Sequence, residues 1–418
     1  MRAFRYKFWS ILLLAFLLRV VAAFVIDRHV TQADRTFLIE GDANGYWELA
    51  QHIAKGEDYA IYQPPRYVLR TPGFPLLLAA SIKVFGTSVF AATLVMAAIG
   101  AGCCWLTWLL AQKLFDDSTA NWAMLLGAVS PLQIGSNVQI LSETWFSFGL
   151  LLCLLALARL LLQPKSASCG RIAFTSGVLT GLTVLIRPGW ILWTGLSSIL
   201  VGLFGTMPVA KKMLCMAMIF AGCMVSLMPW AWRNHEVTGH WIFTSLWSGP
   251  SLYDGLREGA TGASDMEFVD VESVYSKMTE YDANAHYKQR AVEFVVSHPR
   301  RTFELAILKA SRYLSPSLNA AGFSGGAFSA YCVFWYTATT VLILVGVVGL
   351  RKKPSFVALL AGPFLQFLLV HMVFVGSIRY RLPVEFPLSI LAGHGLVLLR
   401  QRWNQRTLNE RATRSAVT

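Results

Sequence analysis

The feature that most limits what this chain can fold into is a recurrence of apolar runs, each roughly 18 to 22 residues long, the length that crosses a bilayer as an α-helix. They recur near residues 9–26, 89–111, 121–140, 142–162, 172–188, 189–207, 213–231, 328–350, 355–376 and 383–400. With 55% hydrophobic and only 14% charged residues among 418, that surface cannot be hidden in one water-soluble core. The pattern predicts an all-α polytopic membrane protein of about ten transmembrane helices.

Basic residues orient the spans. Arg2, Arg5 and Lys7, then Lys113, Lys165 and Arg171, Lys211 and Lys212, Arg351 to Lys353, and Arg400, Arg402 and Arg406 fall on alternate ends, as the positive-inside rule requires. The expectation is a multi-pass protein of the plasma (inner) membrane with both termini cytoplasmic and residues 401–418 as a cytoplasmic tail. The first span has a basic start and Val21-Ala22-Ala23, which a signal peptide would share, but its apolar run continues through Ile26 and favours an uncleaved anchor. Arg19 interrupts that run and needs a partner in the bundle interior.

The net charge of +13 sits largely in these short clusters at span ends, with no basic groove or nucleic-acid motif, so nucleic acid is not an expected partner. The seven cysteines include no CxxC and no paired set in an outward loop, which offers neither a disulfide framework nor a zinc site. No repeat or soluble domain of the usual size interrupts the chain, so residues 1–418 are read as one membrane domain. Two outward segments, 27–88 and 232–327, are too long to be simple connections, and chemistry is expected on that face.

In EGDANGYWELAQHIAKG, residues 40–56, Tyr46, Leu49, Ala50 and Ile53 repeat as on an amphipathic helix, with Gly56 as its stop. Asp42 falls at the expected N-cap, where a carboxylate accepts bonds from free amides. RTPGFPLLLAASIKVFG, residues 70–86, is a turn followed by an apolar stretch too short to cross, which predicts an interfacial or re-entrant helix. Arg70 before that turn suits either snorkelling or an anionic head group.

Other polar residues stand at outward span ends. Ser130-Pro131 breaks the third run, and Ser142 and Glu143 open the fourth, where Ser142 can cap the helix and Glu143 suits either its dipole or a site. Arg187 leaves the fifth span beside Pro188, as a snorkelling residue or a phosphate ligand. Trp230 and Trp232 suit the interfacial belt before Arg233 and Asn234. Arg379, Tyr380 and Arg381 crowd a short loop before the last span, and two guanidiniums on one tether make a stronger anion signal than any one Arg alone. No two histidines stand at metal-ligand spacing, and a divalent cation held by carboxylates is left open.

Taken in order, EGDANGYWELAQHIAKG, RTPGFPLLLAA, LSETWFSFGLLL, GLTVLIRPGW, MPWAWRNHEVTGHW with SGPSLYDG behind it, and GSIRYRLPVEFPLSILAGHG resemble the membrane glycosyltransferases of GT-C fold. The resemblance is to the bacterial family-39-like branch related to protein mannosyltransferases and the lipid A aminoarabinose transferase, and it covers most of the chain. It implies a polyprenyl-phosphate-linked sugar as donor and a cavity on the periplasmic face. It also implies a catalytic carboxylate in the first outward loop, which Asp42 matches, with Glu143 near the second acidic position.

The same resemblance makes Arg70, Arg187, Arg379 and Arg381, with Tyr380 among them, candidates for the donor phosphate. Asp42 and Glu143 would hold Mg²⁺ or Mn²⁺ if a cation is used. The chain departs from the eukaryotic mannosyltransferases, because Asp42 is followed by Ala43 where they carry an Asp-Glu pair. It also lacks the large soluble domain of several relatives.

The expected reaction is an inverting transfer to an acceptor hydroxyl on a glycan, lipid or protein, with Asp42 as base or as the carboxylate that orients acceptor or metal. The competing expectation is a transporter or flippase for a lipid-linked glycan, which would also gather Arg and carboxylate groups around a membrane cavity.

Overall fold

The computed structural model describes residues 2–163, 168–317 and 326–417; Lys165 and the side chains of residues 2–6 and 411–417 lie outside the described set. Among the described residues the chain is helical between its loops, with one isolated antiparallel bridge, Ile61 to Arg66. Seven helices among the described residues are long and apolar enough to cross a membrane: α1 (Arg2–Gln32), α4 (Val89–Leu114), α7 (Glu143–Leu162), α10 (Val209–Thr238), α15 (Gly326–Gly349), α16 (Pro354–Val373) and α17 (Leu382–Val417).

Three of the ten expected spans are shorter. Residues 121–140 divide into α5 (Asp117–Val129) and α6 (Pro131–Ser136), and residues 172–188 become α8 (Cys169–Val184). Residues 189–207 become a 3-10 turn, Pro188–Ile191, leading into α9 (Leu192–Phe204). Two prolines account for the breaks: each excludes helical geometry from the residue before it, and Ser130 and Arg187 are both extended. At 13 residues, α5 rises only about 20 Å against a hydrocarbon core of about 30 Å.

Arg19 solves its burial at one of those breaks. It is fully buried, and its Nη1 and Nη2 donate to the Ala128 and Gly127 carbonyls at 3.3 and 3.2 Å, two of the acceptors left free at the end of α5. Its Nε donates to Asn137 Oδ1 at 2.9 Å. One cation in the first span thus closes the C-terminus of another helix and anchors the loop that enters α7. The apolar interior beside it holds Phe146, Trp190, Trp193, Phe367 and Phe386, all fully or almost fully buried.

Two segments lie outside the long apolar helices and meet each other. The first contains α2 (Asp42–Lys55) and α3 (Gly73–Phe85), close to the bounds expected for the amphipathic helix and the short apolar one. The second carries α11 (Ser248–Gly255), α12 (Glu267–Glu272), α13 (Glu280–Ser297) and α14 (Pro299–Leu314).

The two segments are stitched through backbone. Glu280 accepts from the Tyr67 and Val68 amides at 2.9 and 3.0 Å, Arg233 donates to the Tyr67 and Tyr59 carbonyls at 2.6 and 3.1 Å, and the Leu246 amide donates to Val68 O at 2.8 Å. Arg233 is therefore a structural clasp on residues 59–68, the stretch that leads to Arg70.

Candidate active site

Asp42 opens α2 but does not cap it. Gly41 occupies the N-cap with φ of 78°, a conformation that favours glycine, and no side chain caps the first turn. The expected N-cap role of Asp42 is thereby corrected: one residue further in, its carboxylate points away from the free amides and is available to other side chains. Ser142 likewise precedes α7 with no side-chain cap bond.

Arg70 donates from Nη2 to Asp42 Oδ1 at 2.7 Å, and Arg379 donates from Nη1 to Asp42 Oδ2 at 2.8 Å. Arg379 also donates from Nε to Glu143 Oε1, so one guanidinium bridges both carboxylates. Arg187 Nη1 lies 3.2 Å from the same Glu143 oxygen as an ion pair without hydrogen-bond alignment. Five of the expected site residues, Asp42, Arg70, Glu143, Arg187 and Arg379, therefore form one alternating chain of charge.

Each member arrives on a different support. Arg70 follows a loop whose Tyr59 hydroxyl donates to the Arg70 and Thr71 carbonyls at 3.1 and 3.2 Å. The next turn docks on α8 through the Gly73 amide, which donates to Leu185 O at 2.8 Å. A Cβ at Gly73 would stand 2.6 Å from that oxygen, which accounts for the glycine in the turn. Arg187 is two residues beyond Leu185, so the dock also registers Arg70 against Arg187.

Aromatic rings sit beneath the cations. Arg70 lies over Tyr46 at 4.3 Å, and Arg187 lies over Tyr380 at 5.0 Å. Tyr380 in turn stacks on His371 with centroids 4.0 Å apart. Tyr46 and His371 were missed as site residues. Tyr46 had a legible signal, since it stands four residues after Asp42 on the same helical face, and His371 had one as an ionisable group inside an apolar span.

Arg381, expected beside Arg379, is instead turned away and fully buried. Its Nε donates to Glu385 at 2.8 Å, and its Nη1 donates to the Tyr313 and Ser315 carbonyls at 2.8 and 2.9 Å. Successive residues of the 3-10 turn Ile378–Tyr380 point in different directions, so two arginines two positions apart serve different neighbourhoods.

Electrostatically the cluster is graded. Glu143 is 2% exposed, whereas the Asp42 side chain keeps 37% of its surface open. Burial alone would raise the Asp42 carboxyl, but Arg70 and Arg379 outweigh it and hold it well below the usual carboxylate range. Burial pushes the Tyr380 phenol up, with Arg379 opposing it, so that ring stays neutral near pH 7. Glu143 Oε2 is buried with no hydrogen-bond partner.

The donor set does not fit a resident divalent cation in this arrangement. Among the described residues no group of three His, Cys, Asp or Glu side chains gathers, and an ion between Asp42 and Glu143 would meet three guanidiniums. Three guanidiniums around two carboxylates leave one positive charge in excess, which suits an anion instead.

No family model and no curated protein matches the chain. Among solved structures it is similar to the Archaeoglobus fulgidus oligosaccharyltransferase in the apo form, with a TM-score of 0.59 and 14% identity over 97% of this chain and 52% of that one. The same archaeal enzyme, AglB, in complex with an inhibitory peptide and a dolichol-phosphate gives 0.56 and 14% over 98% and 52%.

A looser match is ArnT from Cupriavidus metallidurans bound to undecaprenyl phosphate, at 0.43 and 16% over 91% and 77%. The chain spans about half the length of the archaeal structures. What the comparison establishes is the fold: an all-helical membrane fold of GT-C type.

Proposed function

We propose that the protein is a glycosyltransferase that moves a sugar from a polyprenyl-phosphate-linked donor to an acceptor hydroxyl, on the periplasmic or extracellular face of the plasma membrane with both termini cytoplasmic. The observation that carries the reading is the bridge of Arg379 between Asp42 and Glu143, flanked by Arg70 and Arg187 at one end of the bundle. A fold shared with an oligosaccharyltransferase captured with dolichol-phosphate supports a lipid phosphate as the anion these cations receive.

In the reaction, the acceptor oxygen attacks the anomeric carbon while the bond from that carbon to the phosphate oxygen breaks, with inversion. The polyprenyl phosphate departs as a stable anion and needs no general acid. Arg187, Arg379 and Arg70 offset the charge on the departing phosphate. The acceptor proton passes to Asp42 and then to water.

Asp42 gripped by two guanidiniums is a weak base, and the arrangement supplies a remedy. An arriving phosphodiester competes for the same N–H groups, and every bond that Arg70 or Arg379 turns toward phosphate returns basicity to Asp42. Glu143, almost fully buried and paired to Arg187 and Arg379, serves as the fixed counter-charge that positions those two cations. Tyr380 and Tyr46 hold the guanidinium planes from below.

The test is reconstitution with radiolabelled polyprenyl-phosphate sugars and a membrane extract. Wild type transfers label to acceptor, and Asp42→Asn loses transfer by about 10²-fold or more. Unchanged transfer in that variant overturns the role of Asp42, and glycan translocation without transfer overturns the enzyme reading in favour of a transporter.

A further inference from the structure

A recess lies away from the charged cluster, in the gap between α15 and α16 and floored by α5 and α17. It is a cavity of about 310 Å³ with largely aliphatic and aromatic walls. Leu344 and Leu365, which flank it, are 59% and 54% exposed, so it opens sideways through the lipid-facing surface. Along α15 its lining runs from Trp335 to Val347, about 18 Å at helical rise. One leaflet of a bilayer core is about 15 Å thick, so the recess matches the depth of a single chain.

One end of the recess is polar, and its polar atoms are unsatisfied. Arg381 Nη2, Ser130 Oγ and Gln133 Oε1 are all buried without a hydrogen-bond partner, and all three residues line the cavity. Buried groups of this kind are normally paired, and the two donors among them, Arg381 Nη2 and the Ser130 hydroxyl, mark a missing acceptor. The other faces of Arg381 are already taken, with Glu385 neutralising its charge and Tyr336 lying under it at 3.9 Å. What remains is a pair of donors at the end of an apolar groove, which a neutral acceptor would satisfy.

We infer that this recess is a lipid site that holds one acyl chain of a glycerophospholipid, with the ester carbonyl accepting from Arg381 Nη2 and the Ser130 hydroxyl. A polyprenyl chain fits less well, because it carries no oxygen along its length and its phosphate needs an excess of positive charge, which the one-to-one Arg381–Glu385 pair does not offer. Charge compensation by Glu385 leaves Arg381 suited to a carbonyl and not to a phosphate. The site is independent of the transferase reading, and Arg381, which lines it, directly follows the Ile378–Tyr380 turn that carries Arg379.

The test uses the full-length protein and native mass spectrometry of retained lipid. Wild type reconstituted with dioleoyl phosphatidylglycerol, with its dialkyl-ether analogue, and with farnesyl phosphate should retain the diester at least about five-fold over the diether, the worth of one of the carbonyl's two hydrogen bonds. Ala361→Trp, which fills the recess from α16, should lose retention of the diester with its thermal unfolding midpoint unchanged. Arg381 also holds Tyr313 and Ser315, so the lipid exchange on wild type, which needs no variant, carries the decision. Equal retention of diester and diether, displacement of the diester by farnesyl phosphate, or full retention by Ala361→Trp overturns the inference.

Discussion

Removing Arg379 tests whether the charged chain is an energetic unit. Arg379 bridges Asp42 and Glu143, and the two acids should feel its loss differently. Asp42 is 37% exposed and keeps Arg70, so water can take over and its share is at most about 1 kcal/mol. Glu143 is 2% exposed and keeps only Arg187 at 3.2 Å. A pair at about 4 Å with an effective dielectric of 20 is worth about 4 kcal/mol of attraction, and stranding one partner of a buried pair costs about 3–5 kcal/mol. With Arg187 still in place, we expect Arg379→Ala to cost about 2–3 kcal/mol in all.

The same reasoning predicts rescue. Glu143→Gln removes the stranded charge, so the double variant should recover part of the loss, with a coupling energy of about 1–3 kcal/mol in a double-mutant cycle. The assay is reversible denaturation of the four proteins in one detergent, followed by tryptophan fluorescence. Strictly additive single losses, with coupling under about 0.5 kcal/mol, would falsify the account of Glu143 as a charge held by Arg379.

Three further outcomes follow from the geometry. The Asp42 carboxyl is held low by its arginines, so its contribution to stability is complete above the unfolded value of about 4 and lost as pH falls below it. The stability gap between wild type and Asp42→Asn should accordingly be flat from about pH 5 to 8 and close under acid. Burial brings the Lys309 ammonium down to about 8, so the unfolded chain binds more protons between that value and about 10.4. Stability should rise across that window by at most about 3 kcal/mol, and Lys309→Met should flatten the rise in a pH series of denaturation curves. Arg19→Met leaves the Gly127 and Ala128 carbonyls and Asn137 without their donor, and should lower stability by about 2–4 kcal/mol in the same assay, with Arg19→Lys recovering only part.

Much of the helical architecture was legible because hydropathy is a local property. The amphipathic repeat after Asp42 and the short apolar stretch after Pro72 came out as α2 and α3, close to their expected bounds. Where the expected spans were too long, the signal was also in the chain: Pro131 and Pro188 end the helical runs that an apolar count alone would extend. The role of Arg19 was readable only as a demand for partners, since nothing local says that the end of another helix supplies them.

At the charged site the residue types were visible and their pairing was not. Asp42 looked like a cap because capping is decided within four residues, whereas the bonds it makes reach 28 and 337 positions away. Arg379 and Arg381 looked equivalent, and the turn that carries them sends one to the carboxylates and the other to Glu385 and the end of α14. Tyr46 and His371 became part of the site only when packing brought them beneath Arg70 and Tyr380.

By itself the sequence determined that this chain lives in a membrane, where its helices break, and that ionisable groups gather at span ends, because burial of apolar surface and proline geometry act residue by residue. Tertiary structure decided which cation meets which carboxylate, and which arginine is left with open donors in an apolar recess. Those depend on helices far apart in the chain arriving at one point, and the energy of a charge is set by what surrounds it, not by what precedes it.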